Sequence, residues 1–200
     1  MYRTVRILGI VLLGIAFGWN GCQRQDPIIE EARKALKVVG EVPDFTAENY
    51  DGRVITKEDL LGKVWVADFF FTSCGGPCPI MSSQLSVLQS EFADVPDFKV
   101  VSFTVDPDTD TPEVLKKYAA KYGAKPDKWY FLRMDLDKLI PLAEKGFRVA
   151  PPVEPAAHAT HFILVDRWGR IRGYYPGTDT QAYEKLAAMV KLLLNENEPA

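Results

Sequence analysis

Hydrophobic positions along the chain come in blocks whose spacing changes, and each spacing predicts an element. Residues 7–19 are apolar at nearly all thirteen positions and end at Asn20-Gly21-Cys22. A polar stretch over 23–41, partly helical around 28–39, follows as a tether. Segments 42–46 and 53–56 then flank Asn49-Tyr50-Asp51-Gly52, whose Asp-Gly pair signals a hairpin. Val64-Trp65-Val66-Ala67-Asp68-Phe69-Phe70-Phe71 is too continuously apolar for a half-exposed strand, so 63–72 is read as a central strand covered on both faces. Met81, Leu85, Leu88 and Phe92, at spacings of four, three and four, predict a helix over 79–92.

A second buried strand is expected over 98–105. Thr111 as N-cap and Pro112 at the first helical position open a helix through residue 122, which Gly123 closes. A short strand over 129–134 precedes a helix over 136–145 that Pro141 interrupts or kinks. Segments 161–166 and 170–175 form a hairpin around Arg167-Trp168-Gly169, and an amphipathic helix over 180–195 closes the pattern. Pro151-Pro152-Val153-Glu154-Pro155 is a stiff exposed loop leading to His158.

Hairpin, strand, helix, strand, helix, hairpin, helix is the order of a thioredoxin-like α/β domain, a mixed β-sheet flanked by helices with an N-terminal hairpin. In such a sheet, chemistry gathers in the loops after the carboxyl ends of the central strands, where Cys74 falls. The composition agrees. Two hundred residues with 47% apolar, 12% aromatic and 26% charged residues suit one folded domain with a large core. A net charge of −3 offers no basic surface for phosphates, so nucleic acid is not an expected partner.

The N-terminus reads as an address. Arg3 and Arg6 precede the apolar run without any acidic residue, and thirteen apolar positions are the length of a signal core. A spanning helix needs about 20. Cys22 after Gly21 resembles the lipid acceptor of bacterial lipoproteins, although Trp19 and Asn20 stand where that signal has an aliphatic and a small residue. Lipidation of Cys22, retention of 7–19 as an uncleaved anchor, and cleavage leaving Cys22 free are the three readings. Each places the domain outside the cytoplasm, on the periplasmic face of the cell envelope, and the first two tether it to a membrane. The expected organisation is 1–22 signal or anchor, 23–41 tether, 42–196 thioredoxin-like domain and 197–200 tail.

Three cysteines are too few for a disulfide scaffold or a four-thiolate zinc site. Cys74 and Cys78 lie in Thr72-Ser73-Cys74-Gly75-Gly76-Pro77-Cys78-Pro79, between a buried strand and a helix. Pro77 keeps Gly76 out of the α region, and Pro79 suits the first helical turn. Both sulfurs then approach a helix N-terminus, whose partial charge lowers a thiol pKa; thiolate is the form that attacks disulfides or binds metal. Dithiol reductases of this fold use two intervening residues. Three residues widen the loop enough for both sulfurs to close on one ion. The chain has two histidines, His158 and His161, as candidate third donors.

Val42-Pro43-Asp44-Phe45, Gly62-Lys63-Val64, Phe71-Thr72-Ser73-Cys74 with Cys78-Pro79, Ser102-Phe103-Thr104-Val105-Asp106-Pro107, Asp110-Thr111-Pro112, and His158 before Leu164-Val165-Asp166 together resemble the Sco (SenC) family over residues 41–195. These are membrane-tethered, copper-binding assembly proteins of cytochrome c oxidase. The resemblance implies Cys74, Cys78 and His158 as ligands of one copper per chain, Cu(I) or Cu(II), with His158 preferred to His161 by its place eleven residues before Gly169. It implies Asp106 as an acid near the site; a turn acid capping local amides is the other reading. Gly75 departs from the family, which has proline directly after the first cysteine.

The implied function is a metallochaperone that delivers copper to, or prepares the thiols of, the dinuclear copper A site. Its expected partners are the copper A-bearing oxidase subunit, a copper donor, a thiol reductant and a membrane. The alternative is an extracytoplasmic thiol:disulfide oxidoreductase or redox sensor, in which Cys74 attacks and Cys78 resolves.

Overall fold

A computed structural model describes residues 37–149 and 160–196. Cys22, His158, the proline-rich loop and the apolar N-terminal run lie outside the described residues. The elements in chain order are β1 (Gly40–Glu41), β2 (Thr46–Asn49), β3 (Val54–Thr56), α1 (Lys57–Leu60), β4 (Val64–Phe70), α2 (Pro77–Glu91) and β5 (Phe98–Thr104). Then come α3 (Pro112–Lys121), β6 (Trp129–Arg133), α4 (Leu136–Pro141), a π-helical turn (Leu142–Gly146), β7 (His161–Val165), β8 (Arg170–Pro176) and α5 (Thr180–Leu194).

The strands form one eight-stranded sheet in the order β1-β8-β7-β4-β5-β6-β2-β3. The β4–β5 and β5–β6 pairs are parallel and the others antiparallel, so β4 sits at the centre of a mixed sheet. Every residue of β4 is buried, as its unbroken apolar run requires. Val64, Val66 and Phe70 face a core shared with Leu85 and Leu88 of α2, Leu115 of α3 and Leu186 of α5. Trp65, Ala67 and Phe69 face a second core closed by Ile55, Leu60, Leu139 and Phe147. The sheet is thus covered on both sides, and the fold is thioredoxin-like.

The structure departs from the hydrophobic pattern in four places. The hairpin arms are Thr46–Asn49 and Val54–Thr56, while residues 42–45 lie outside any strand with Val42 and Phe45 in the core. The short helix α1 was not expected; Thr56 accepts the Asp59 N–H and Asp59 accepts the Thr56 N–H, a reciprocal cap that lets one turn stand alone. The strand β1 pairs with β8 through Gly40 and Glu41, residues without any alternation to announce them. Pro141 interrupts the α-helix as expected, but the chain stays helical in another form. α4 runs onto it, and the wider π turn follows, closed by the Phe147 N–H donating to the Leu142 carbonyl at 2.8 Å.

Candidate functional site

The cysteine loop leaves the carboxyl end of β4 and enters α2. α2 begins at Pro77, two residues earlier than the apolar spacing suggests. Prolines at its first and third positions cost nothing there, because first-turn N–H groups have no partner within a helix. Cys74 lies before the helix, its N–H donating to the Phe71 carbonyl at 3.3 Å, and Cys78 lies in the first turn. Neither is in a disulfide. Cys74 is 8% exposed and Cys78 2%.

The two thiols are neighbours, near enough for Cys74 to act on the Cys78 pKa. Burial pushes the Cys78 pKa up, the neighbouring Cys74 thiol adds to the rise, and a backbone hydrogen bond with Phe71 opposes it. This corrects the expectation of a thiol made acidic by the helix N-terminus. Cys78 is at that terminus, yet desolvation outweighs the partial charge there.

Beneath the loop, Asp68 of β4 is 1% exposed and accepts the Ser102 hydroxyl, which in turn accepts the Trp129 Nε1–H at 2.8 Å. Burial raises the Asp68 pKa to about 7 against that hydrogen bond. Ser82 of α2 meets the Tyr118 hydroxyl at 2.8 Å on the same side of the sheet. Asp110, fully buried, accepts the Thr72 N–H at 3.2–3.3 Å, the Thr72 hydroxyl and the Thr104 hydroxyl. Sequence reasoning passed over both acids as site residues. Their signals were a lone acid inside an apolar run and an acid directly before an N-cap threonine.

The other candidates fall out differently. Asp106 is half-buried; its N–H donates to the Thr104 hydroxyl at 3.1 Å and its carboxylate accepts the Thr109 N–H at 3.4 Å, the turn-capping arrangement. Among the described residues no three of His, Cys, Asp and Glu are grouped to hold a metal. His161 is exposed at the start of β7. β7 runs antiparallel to β4, with Ala67 opposite Ile163, so the chain enters β7 beside the end of β4 from which the cysteine loop departs. Two neighbouring sulfurs make a donor pair suited to a soft cation such as Cu(I).

The sequence model of the SCO1/SenC family matches residues 33–195. The chain belongs to the SCO1/SenC family. This Sco chain is 36% identical over 157 residues to the SCO1 protein homolog of Bacillus subtilis, an alignment covering 76% of this chain and 81% of that protein. Its backbone superimposes on BsSco, described as a Sco-family cytochrome c oxidase assembly protein with a disulfide switch, with a TM-score of 0.72 and 34% identity, over 80% of this chain and 96% of that one. Yeast Sco1 with copper bound gives a TM-score of 0.60 at 25% identity, covering 76% and 89% of the two chains. The mixed α/β architecture of the Sco chain is therefore that of solved Sco proteins.

Proposed function

We propose that the protein is a copper-binding assembly factor of cytochrome c oxidase, holding one copper through Cys74, Cys78 and His158 and delivering it to, or preparing the thiols of, the copper A site. The observation that carries this reading is the pair of buried, unoxidised thiols side by side after the end of the central strand, Cys74 near enough to shift the Cys78 pKa. Copper bound to yeast Sco1 and the oxidase-assembly role of the family to which BsSco belongs support it.

The residues divide the work. Thiolates select soft Cu(I), and an added imidazole suits Cu(II) as well. Cys74 and Cys78 give up their protons on binding, so loading is easier as pH rises. His158 is assigned as third ligand from its match to the family histidine, eleven residues before Gly169. Cys22, or the apolar run before it, tethers the domain to the periplasmic face of a membrane, where it meets a copper donor, a reductant and the oxidase subunit.

Titration of the full, reduced chain with Cu(I) against a competing chelator tests this. One copper is expected, lost in Cys74→Ser and in Cys78→Ser; His158→Ala should lose Cu(II) far more than Cu(I). Undiminished binding in either serine variant overturns the ligand set. A second reading, thiol:disulfide exchange or redox sensing, draws on the asymmetry of the pair: Cys74 is the more exposed thiol and Cys78 the one held protonated. If His158→Ala keeps both copper states while Cys74→Ser abolishes reduction of a partner disulfide, that reading replaces the first.

A further inference from the structure

Asp110 is a fully buried carboxylate with three hydrogen-bond donors converging on it and no basic side chain among those contacts. Two donors belong to Thr72, two residues before Cys74; the third is the hydroxyl of Thr104, the last residue of β5. Thr104 has a second bond, accepting the Asp106 N–H at 3.1 Å, and the Asp110 N–H donates to the Asp106 carbonyl at 2.9 Å. The carboxylate thereby ties the start of the cysteine loop to the loop carrying Asp106.

An acceptor-only group is required. Thr72 contributes a backbone N–H that cannot be reversed, and the Thr72 and Thr104 hydroxyls both donate to the same carboxylate. A charge-assisted acceptor is stronger than a neutral one, and burial makes any loss of partner costly. Cys78 needs no such tie, because α2 carries it. Cys74 does, since among the contacts of its loop its own backbone has one hydrogen bond, to Phe71, and Gly75 and Gly76 beside it have little steric restraint.

We propose that Asp110 is the positioning residue of the thiol pair: it fixes Cys74, through Thr72, at the distance from the helix-borne Cys78 that ligation requires. This rests on the copper-binding reading for its metal consequence and on geometry alone for its consequence at the thiol.

The test compares the full-length wild type with Asp110→Asn, Thr72→Val and the triple variant Thr72→Val/Thr104→Val/Asp110→Leu. The readouts are Cu(I) affinity against a chelator, the alkylation rate of Cys74 in the reduced apo-protein, and thermal stability. In Asp110→Asn an amide N–H faces a ring of donors; copper affinity should fall about tenfold or more, and Cys74 alkylation should accelerate as the loop loosens. The triple variant removes both hydroxyl donors with the acceptor but leaves the Thr72 and Asp106 N–H groups without theirs, so stability should return only in part while affinity and alkylation stay altered. Recovery of all three would make Asp110 a fold residue and overturn the proposal, as would wild-type affinity and alkylation in folded Asp110→Asn. Should Asp110→Asn not fold, Thr72→Val decides, with the same two site readouts. If wild type binds no copper, the copper reading falls and the alkylation rates alone judge the tie.

Discussion

Asp68 shows how a single side chain is set by depth rather than by its sequence neighbours. Its carboxyl keeps a proton in the fold up to about pH 7, whereas the unfolded group loses it near 3.8. Stability from the neutral acid is therefore full below about pH 4 and is lost as pH climbs through about 7, where the fold must hold a buried charge or release a proton. Asp68→Asn mimics the protonated acid, so its melting temperature should exceed that of wild type near pH ~8 by clearly more than it does near pH ~5. Calorimetry at both values checks this, and parallel pH profiles would assign the titration elsewhere. Cys74 and Cys78 were legible in the sequence because a Gly/Pro loop between an apolar strand and a helix is a local pattern. The raised Cys78 pKa was not, since it depends on what packs over the loop.

At the level of elements, the apolar runs of β4, β5 and α2 read correctly because each is long and has one period. The pieces that escaped are held by contacts distant in sequence or by a single turn: β1 by β8, and α1 by its cap. The π turn after α4 is held in the same way. A Cβ on Gly146 would stand 2.7 Å from the Pro43 ring, which cannot swing aside. Gly146→Ala should cost about 1–3 kcal/mol by overpacking, seen as a lower urea midpoint. Gly75→Ala meets nothing within 4 Å and should leave the midpoint unchanged. Equal midpoints for the two alanine variants would show that the π turn gives way.

Across the whole molecule, the two ends of the sheet have different duties. The thiols lie at the carboxyl end of β4. At the other end Asp166, buried, accepts Arg170 and Arg172, and the buried Arg172 also reaches Glu196 at 2.7 Å, just past α5. Asp166→Asn removes one charge from a buried pair and should cost about 3 kcal/mol or more, read by urea unfolding, while copper affinity of the folded protein stays as in wild type. A drop in affinity matching the drop in stability would mean the two ends are coupled. Sequence order was enough to give the thioredoxin-like layout, because parallel strands joined through helices admit few arrangements. It did not show which strands end the sheet. Those are β1, two residues long, and β3, three residues long, against seven in β4 and β5. A border as short as β1 covers only Arg170 and Ile171 of β8, so over 172–176 the outer edge of β8 carries backbone that no strand among the described residues pairs. Copies brought together should therefore meet along β8 sooner than along β3, whose three residues leave little to pair with.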